Sequence, residues 1–161
     1  MLRALICLLL ALPFAAQAQP RTCLVVGISD GDTLTARCGS PGSYEQVKVR
    51  LAAIDAPESR QPYGQRSKQA LSALCYMEQA RISPRDTDRY GRTVADVRCR
   101  GEDAGRHQVA GGWAWVYEQY TTRDDGALFK MQYTARAQHL GLWADREPLA
   151  PWEWRKVQRG G

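Results

Sequence analysis

The sequence predicts a mixed α+β domain, mainly β, built as a five-stranded OB-type barrel with about three helices. Three observations predict it. Five short runs rich in apolar and β-branched residues are each bounded by turn-forming residues. These runs come first, as hairpins and a curled meander, while segments of helical period are inserted between them and appended after them. The chain has 161 residues, one domain's worth once its N-terminal segment is set aside. Short strands that close on themselves make such a barrel; a flat α+β sandwich is the alternative arrangement.

The elements follow in order. Met1-Leu2-Arg3 is a short positive start, Ala4 to Ala16 is an almost unbroken apolar run, and Ala16-Gln17-Ala18 offers small residues where a signal peptidase cuts. That is the order of a secretory signal, so residues 1–18 are expected to be removed and residues 19–161 to form the domain. A membrane anchor is the alternative, but the run is shorter than the roughly 20 apolar residues that span a bilayer. Leu24 to Ile28 and Leu34 to Cys38 flank Asp30-Gly31 and read as a hairpin. Gly39 to Ser43 reads as a loop, and Gln46 to Ile54 as a third strand with Val47, Val49 and Leu51 on one side. Gln65 to Ala80 has apolar residues at helical spacing. Arg81 to Pro84 and Thr93 to Arg98 are strands around a turn at 86–91. Helices are expected near Asp103 to Gly111 and from about Asp125 to His139, the latter capped by Gly141. The tail from Pro148 to Trp154 is expected to pack its aromatic rings back onto the barrel.

Without Arg3, 21 basic residues face 17 acidic ones, a net +4, and all but Lys48, Lys68, Lys130 and Lys156 of the basic residues are arginine. A positive balance suits a polyanionic partner, and arginine's planar fork suits phosphate. Cys7 leaves with the signal. The remaining Cys23, Cys38, Cys75 and Cys99 are an even number in an exported chain and read as two disulfides. Of three possible connectivities, Cys23–Cys38 with Cys75–Cys99 is preferred, because folding at Asp30-Gly31 brings 23 and 38 face to face. A two-residue turn would make them a hydrogen-bonded pair, a poor geometry for a bridge, so a bulge or a longer loop is called for. No cysteine pair has zinc-site spacing.

Three segments carry candidate chemistry. Asp30-Gly31-Asp32-Thr33 is, taken alone, an ordinary turn. In Arg50 to Glu58 an arginine opens a strand segment that two carboxylates, Asp55 and Glu58, close. Positions 50 and 55 fall on opposite faces of a regular strand, so a bend is needed to unite them. Asp88-Arg89-Tyr90-Gly91-Arg92 is a charged turn between strands. Together the three resemble the thermonuclease, or staphylococcal-nuclease-like, family from Asp30 to about Trp143. The resemblance rests on Asp-Gly-Asp-Thr, on Arg-x-x-x-x-Asp-x-Pro-Glu, and on Arg89-Tyr90-Gly91-Arg92 before an apolar strand.

The resemblance implies a Ca²⁺ ion held by Asp32, Asp55 and the backbone carbonyl of Ala56, with Glu58 near the ion's hydration shell. It implies Arg50 and Arg92 as phosphate-binding and catalytic arginines, Glu58 as the catalytic candidate general base, and Arg89 and Tyr90 as substrate contacts. Two carboxylates, a carbonyl and water suit a hard cation, and guanidinium forks suit the charge that builds on phosphate oxygens. The sequence departs from the family in a longer spacer between Thr33 and Arg50, a short loop from Glu58 to Tyr63, and the base-stacking tyrosines. Tyr120 matches one of those tyrosines, Glu118 occupies the other position, and Tyr117 is the substitute.

His107 and His139 fall on no catalytic position of the family, and the five tryptophans are read mainly as core or barrel cover. The expected protein is an exported, monomeric, calcium-dependent endonuclease acting on DNA or RNA. It is expected in the periplasm or outside the cell, with no stable membrane association after cleavage. A non-catalytic binding module on the same barrel is the main alternative. Such modules typically lose acidic or arginine positions, whereas Asp32, Arg50, Asp55, Glu58 and Arg92 are all present. A secreted structural protein is a weaker third reading.

Overall fold

A computed structural model describes residues 19–160; the expected signal, residues 1–18, lies outside them. Five strands form the barrel: β1 (Arg21–Ile28), β2 (Thr33–Ser40), β3 (Ser43–Leu51), β5 (Gln79–Thr87) and β6 (Thr93–Cys99). Between β3 and β5 lie the two-residue β4 (Ile54–Asp55) and helix α1 (Gly64–Cys75). After β6 come β7 (Glu102–Asp103), α2 (Ala104–Ala110), β8 (Trp115–Val116), α3 (Gly126–Ala137) and α4 (Pro151–Gly160). Strand β1 pairs antiparallel with β2 and β5, β2 with β3, and β5 with β6; β3 and β6 run parallel and close the barrel. Closure leaves the long strands no free edge.

Alternation along these strands supplies the interior. Val25, Leu34, Ala36, Val49, Leu51, Ile82, Ala95 and Val97 are all at most 1% exposed, and Leu71 of α1, Val109 of α2 and Leu128 of α3 pack onto the same cluster. A second cluster gathers Trp143, Leu142 and Ala135 with Tyr63 and Trp115, so Trp143 is core.

The Asp30-Gly31 connection is a four-residue loop rather than a two-residue turn, and the β1–β2 register slips between Val25 and Gly27. Both departures were called for by a bridge at 23 and 38. Cys23 and Cys38 are joined with their Cα atoms 4.5 Å apart, and Cys75 is joined to Cys99. The expected loop at 39–43 is instead a tight Pro41-Gly42 turn, with Gly42 at φ 85° and Ser40 paired to Ser43. Proline presets the first turn residue and glycine takes the left-handed second one.

Two expectations about helices are corrected. Helix α1 stops at Cys75 rather than at Ala80. Met77 turns left-handed at φ 60°, and its N–H bonds to the carbonyl of Val25 while Val25 N–H bonds to Glu78. Sheet pairing there outweighs helical spacing. The described residues hold four α-helices, the fourth in the tail from Pro151, where no helix was expected. Pro151 stands at the first helical position, where proline's missing N–H costs nothing, a start signal hidden among residues that read as breakers. The tail does return an aromatic ring to the body of the protein, through Trp152.

A partly buried ion pair fastens the start of α3 to the barrel. Arg85 donates to both carboxylate oxygens of Asp125, at 2.7 and 2.8 Å, and also to Asp96. Asp125 in turn accepts from Thr122 N–H and hydroxyl. The Arg85 hydrogen bonds hold the Asp125 carboxyl down at about 2, against the opposing effect of burial. Its folded value lies below the unfolded one near 4. The resulting stability is therefore complete above about pH 5 and lost as pH falls towards 2, to the extent of about 1 kcal/mol once solvent screening of the partly exposed pair is allowed for. Urea midpoints measured between pH 5 and pH 2 should fall more steeply for the native chain than for Asp125→Asn. Parallel curves would contradict the assignment.

Candidate active site

Strand register brings the three separated segments to one end of the barrel. Thr33 pairs with Arg50 across β2 and β3, and the Leu51 N–H bonds to the Asp32 carbonyl at 2.8 Å. The parallel pairing of Val49 with Thr93 sets Arg92, the residue before β6, beside the end of β3. The bend needed between Arg50 and Asp55 is also there. β3 ends at Leu51, Ala53 adopts a left-handed φ of 61°, and Ile54–Asp55 restart as β4 against β8. That reversal returns Asp55 to the side of Arg50.

The floor of the cleft is a set of buried charges. Asp32, Asp55 and Ala56 are at most 5% exposed. Arg50 Nη2 donates to Asp55 Oδ1 at 2.9 Å, and its Nη1 lies 3.2 Å from Asp32 Oδ2 and donates to the Ile54 carbonyl at 3.0 Å. Asp32 also accepts from Ala56 N–H at 2.8 Å and from the Thr33 hydroxyl at 2.9 Å. Gly31 serves this packing by its size and is not left-handed. A Cβ at position 31 would lie 2.7 Å from Ser67 Cβ and 2.9 Å from Ala56 Cβ, so a side chain there would drive the Asp32 loop off the Ala56 segment.

These charges strain against burial. Burial would weaken the proton's hold on Arg50, but the carboxylates of Asp32, Asp55 and Asp30 outweigh it and strengthen that hold. Burial raises the Asp55 carboxyl, the guanidiniums of Arg155 and Arg50 oppose the rise, and Asp32 adds to it. Asp30, whose side chain accepts from Asp32 N–H, is pushed up to about 7 by burial and then by the charge of Asp32.

The walls carry the remaining candidates. The residues expected to hold the ion, to catalyse or to contact substrate line a single cleft of about 810 Å³, including Glu58, Arg89, Tyr90, Arg92, Tyr117 and Tyr120. Arg92 is held by Asp88, which accepts from its Nε at 2.7 Å and from its N–H at 3.0 Å. Its Nη1 reaches the Thr33 hydroxyl at 3.4 Å, and that hydroxyl in turn donates to Asp32. Arg89 donates to the Tyr90 hydroxyl and lies over its ring. Tyr117 contacts Tyr120 edge to face at 4.8 Å, and Tyr120 is 63% exposed at the rim.

Sequence reasoning missed Arg155, and also Lys48 and Arg159 as lining residues, and gave Asp30 no role of its own. Arg155 Nη2 donates to Asp55 Oδ2 at 2.6 Å and its Nη1 to Glu58 Oε1 at 2.8 Å. The only available signal was helical: Trp152 and Arg155 are three apart and so share a helix face.

No three His, Cys, Asp or Glu side chains among the described residues converge as a ready-made metal cage. A cation here would rest on Asp32 and Asp55, with backbone oxygen and water completing its shell, which suits a hard ion of flexible coordination. The donor chemistry fits. Asp32 and Asp55 are both buried hard-oxygen donors, bracketed by the same Arg50 guanidinium on adjoining segments.

A family model described as "Staphylococcal nuclease homologue" matches residues 48–145. The chain is 43% identical over 145 residues to an uncharacterized endonuclease of Haemophilus influenzae, an alignment that covers 90% of this chain and 79% of the relative. It is 35% identical over 144 residues to the micrococcal nuclease of Shigella flexneri, covering 84% and 80% respectively. An uncharacterized endonuclease of Escherichia coli O157:H7 is 39% identical over 132 residues, covering 81% and 82%.

Proposed function

The chain belongs to the staphylococcal nuclease homologue family, and from that premise we propose that it is an exported endonuclease that hydrolyses phosphodiester bonds of DNA or RNA with Ca²⁺ as cofactor. The observation that carries this reading is the Arg50 guanidinium spanning Asp32 and Asp55 in the cleft that also holds Glu58 and Arg92. Acids to hold a cation and guanidiniums to hold a phosphate meet within one concave site.

The roles follow from placement. Asp32, Asp55 and the carbonyl of Ala56 would hold the ion, which when bound supplies positive charge to the phosphate and orients water. Arg50, rigidly braced and already fork-oriented, would grip the scissile phosphate. Arg92, whose Nη1 reaches the Thr33 hydroxyl, would offset charge on the leaving oxygen. Glu58, half-exposed on the cleft wall, would take the proton of the attacking water. Arg89, Tyr90, Tyr117 and Tyr120 would contact the nucleotide chain, aromatic rings serving as sequence-tolerant stacking surfaces. Two disulfides support an oxidising location, and no described helix is long and apolar enough to cross a membrane.

The test is to incubate residues 19–161 with single-stranded DNA, duplex DNA and RNA in Ca²⁺, in Mg²⁺ or with a chelator. Cleavage of at least one polymer in Ca²⁺, abolished by the chelator, is expected. Binding without cleavage in every condition would make the protein a binding module instead, and cleavage indifferent to chelation would remove the cation from the account.

A further inference from the structure

Helix α4 lies outside the segment that the family model matches, yet it delivers a charge to the centre of the site. Its first turn is fixed to the site's own wall. Pro151 is buried, and Trp152 stacks on Tyr117 with ring planes 4° apart and centroids at 5.2 Å. Trp152 also meets Trp115 edge to face at 5.7 Å. Just before the helix, Gln61 Nε2 donates to the Leu149 carbonyl at 2.6 Å. Trp115 belongs to β8 and pairs with Asp55 itself. One helical turn beyond Trp152, Arg155 therefore projects from a fixed base.

Its guanidinium makes three contacts with the acids. Nη2 donates to Asp55 Oδ2 at 2.6 Å, Nη1 to Asp55 Oδ1 at 3.3 Å, and Nη1 to Glu58 Oε1 at 2.8 Å. Arg50 holds Asp55 Oδ1 from the other side, so both oxygens of the most buried acid already face positive charge. A divalent ion on Asp55 would stand within a few ångströms of that guanidinium, and two cations so close in a low-dielectric floor repel strongly.

We propose that Arg155 is a positioning residue that stands in for the cation at Asp55 and Glu58, yields Asp55 when the ion is taken, and keeps Glu58 oriented towards the reacting phosphate. The proposal rests on the calcium-nuclease reading above. Arg155 and the ion compete for one carboxylate, so the arginine weakens ion binding. It assists turnover through Glu58, whose side chain is 39% exposed and has no other side-chain donor among the hydrogen bonds described. One substitution should then move the two properties in opposite directions, which loss of a merely structural contact would not do.

The experiment measures Ca²⁺ binding by titration calorimetry, without nucleic acid, and kcat and KM on an oligonucleotide at saturating Ca²⁺. It compares the native chain with Arg155→Gln and Arg155→Lys. Arg155→Gln should bind Ca²⁺ about fivefold or more tightly, since a neighbouring positive charge is gone. Its kcat should fall about tenfold or more with KM changed much less. Arg155→Lys keeps the charge without the fork, so it should bind Ca²⁺ as the native chain does and recover part of kcat. Unchanged or weaker Ca²⁺ binding by Arg155→Gln overturns the proposal, as does a lysine variant that binds as tightly as the glutamine one. If the glutamine variant melts below the native chain, Arg155→Met, which retains the aliphatic stem, takes its place in the same comparison. A native chain that binds no Ca²⁺ at all defeats the calcium reading and this inference with it. A native chain that binds and cleaves, beside a glutamine variant with no gain in affinity, defeats this inference alone.

Discussion

Arg50→Ala is expected to lower kcat/KM on nucleic acid by about 100- to 1,000-fold, the usual cost of one preorganised donor to a developing oxyanion. The loss should exceed that of trimming a rim cation such as Arg89, because Arg50 does two jobs. On the proposed function it would be the fork offered to phosphate, and it is also the bracket that holds Asp32 and Asp55 together at 3.2 and 2.9 Å. Arg50→Lys restores a positive charge but not a planar pair of donors, so it should recover only a minor part of the rate. Steady-state kinetics separates the roles: lost phosphate contact lowers kcat at saturating Ca²⁺, whereas a loosened acid pair raises the Ca²⁺ concentration needed for half-maximal rate. Arg50→Ala protein that cleaves within threefold of the native rate would remove Arg50 from the chemistry.

Removing the Cys75–Cys99 bridge should have the largest effect on stability. Both cysteines are fully buried, and the bridge ties the end of α1 to β6 across 24 residues of sequence. Closing a loop of that length takes roughly 3–4 kcal/mol of conformational freedom from the unfolded chain. Cys75→Ala with Cys99→Ala should lower stability by about that much, adding the loss of packing around two buried sulfurs. The Cys23–Cys38 loop, with a separation of 15, should be worth roughly 3 kcal/mol on the same argument. A domain of ordinary stability holds only about 5–15 kcal/mol in all, so full reduction should leave it near its unfolding threshold. Urea titrations with and without dithiothreitol measure this directly, and coincident midpoints would show that the bridges contribute little.

Much of the site was legible because its signals are local. Asp32, Arg50, Asp55, Glu58 and Arg92 stand in short segments that resemble a known family's motifs, and that resemblance supplied their expected roles. The structure places all five in one cleft. The Cys23–Cys38 pairing was legible for the same reason, since strand alternation about one turn dictates which residues face each other. What misled were competitions between local and distant preferences. Apolar spacing extends α1 to Ala80, but the backbone at Met77 and Glu78 is claimed by Val25. No helix was expected in the tail, although Pro151 sits where a helix accepts it.

From the residues alone came the strand pattern and the disulfide framework, because each is written within a few neighbouring positions, while the acids and arginines of a nuclease-like site came from the resemblance of three short segments to a known family. Tertiary structure alone decided that β3 and β6 close in parallel, which sets Arg50 and Arg92 at one end, and that Ala53 reverses the chain so that Asp55 faces Arg50. It alone decided that Arg155 bonds to Asp55 and Glu58 from 100 and 97 residues away. Contacts across such separations depend on how the whole chain packs, and no periodicity or motif along the sequence encodes them.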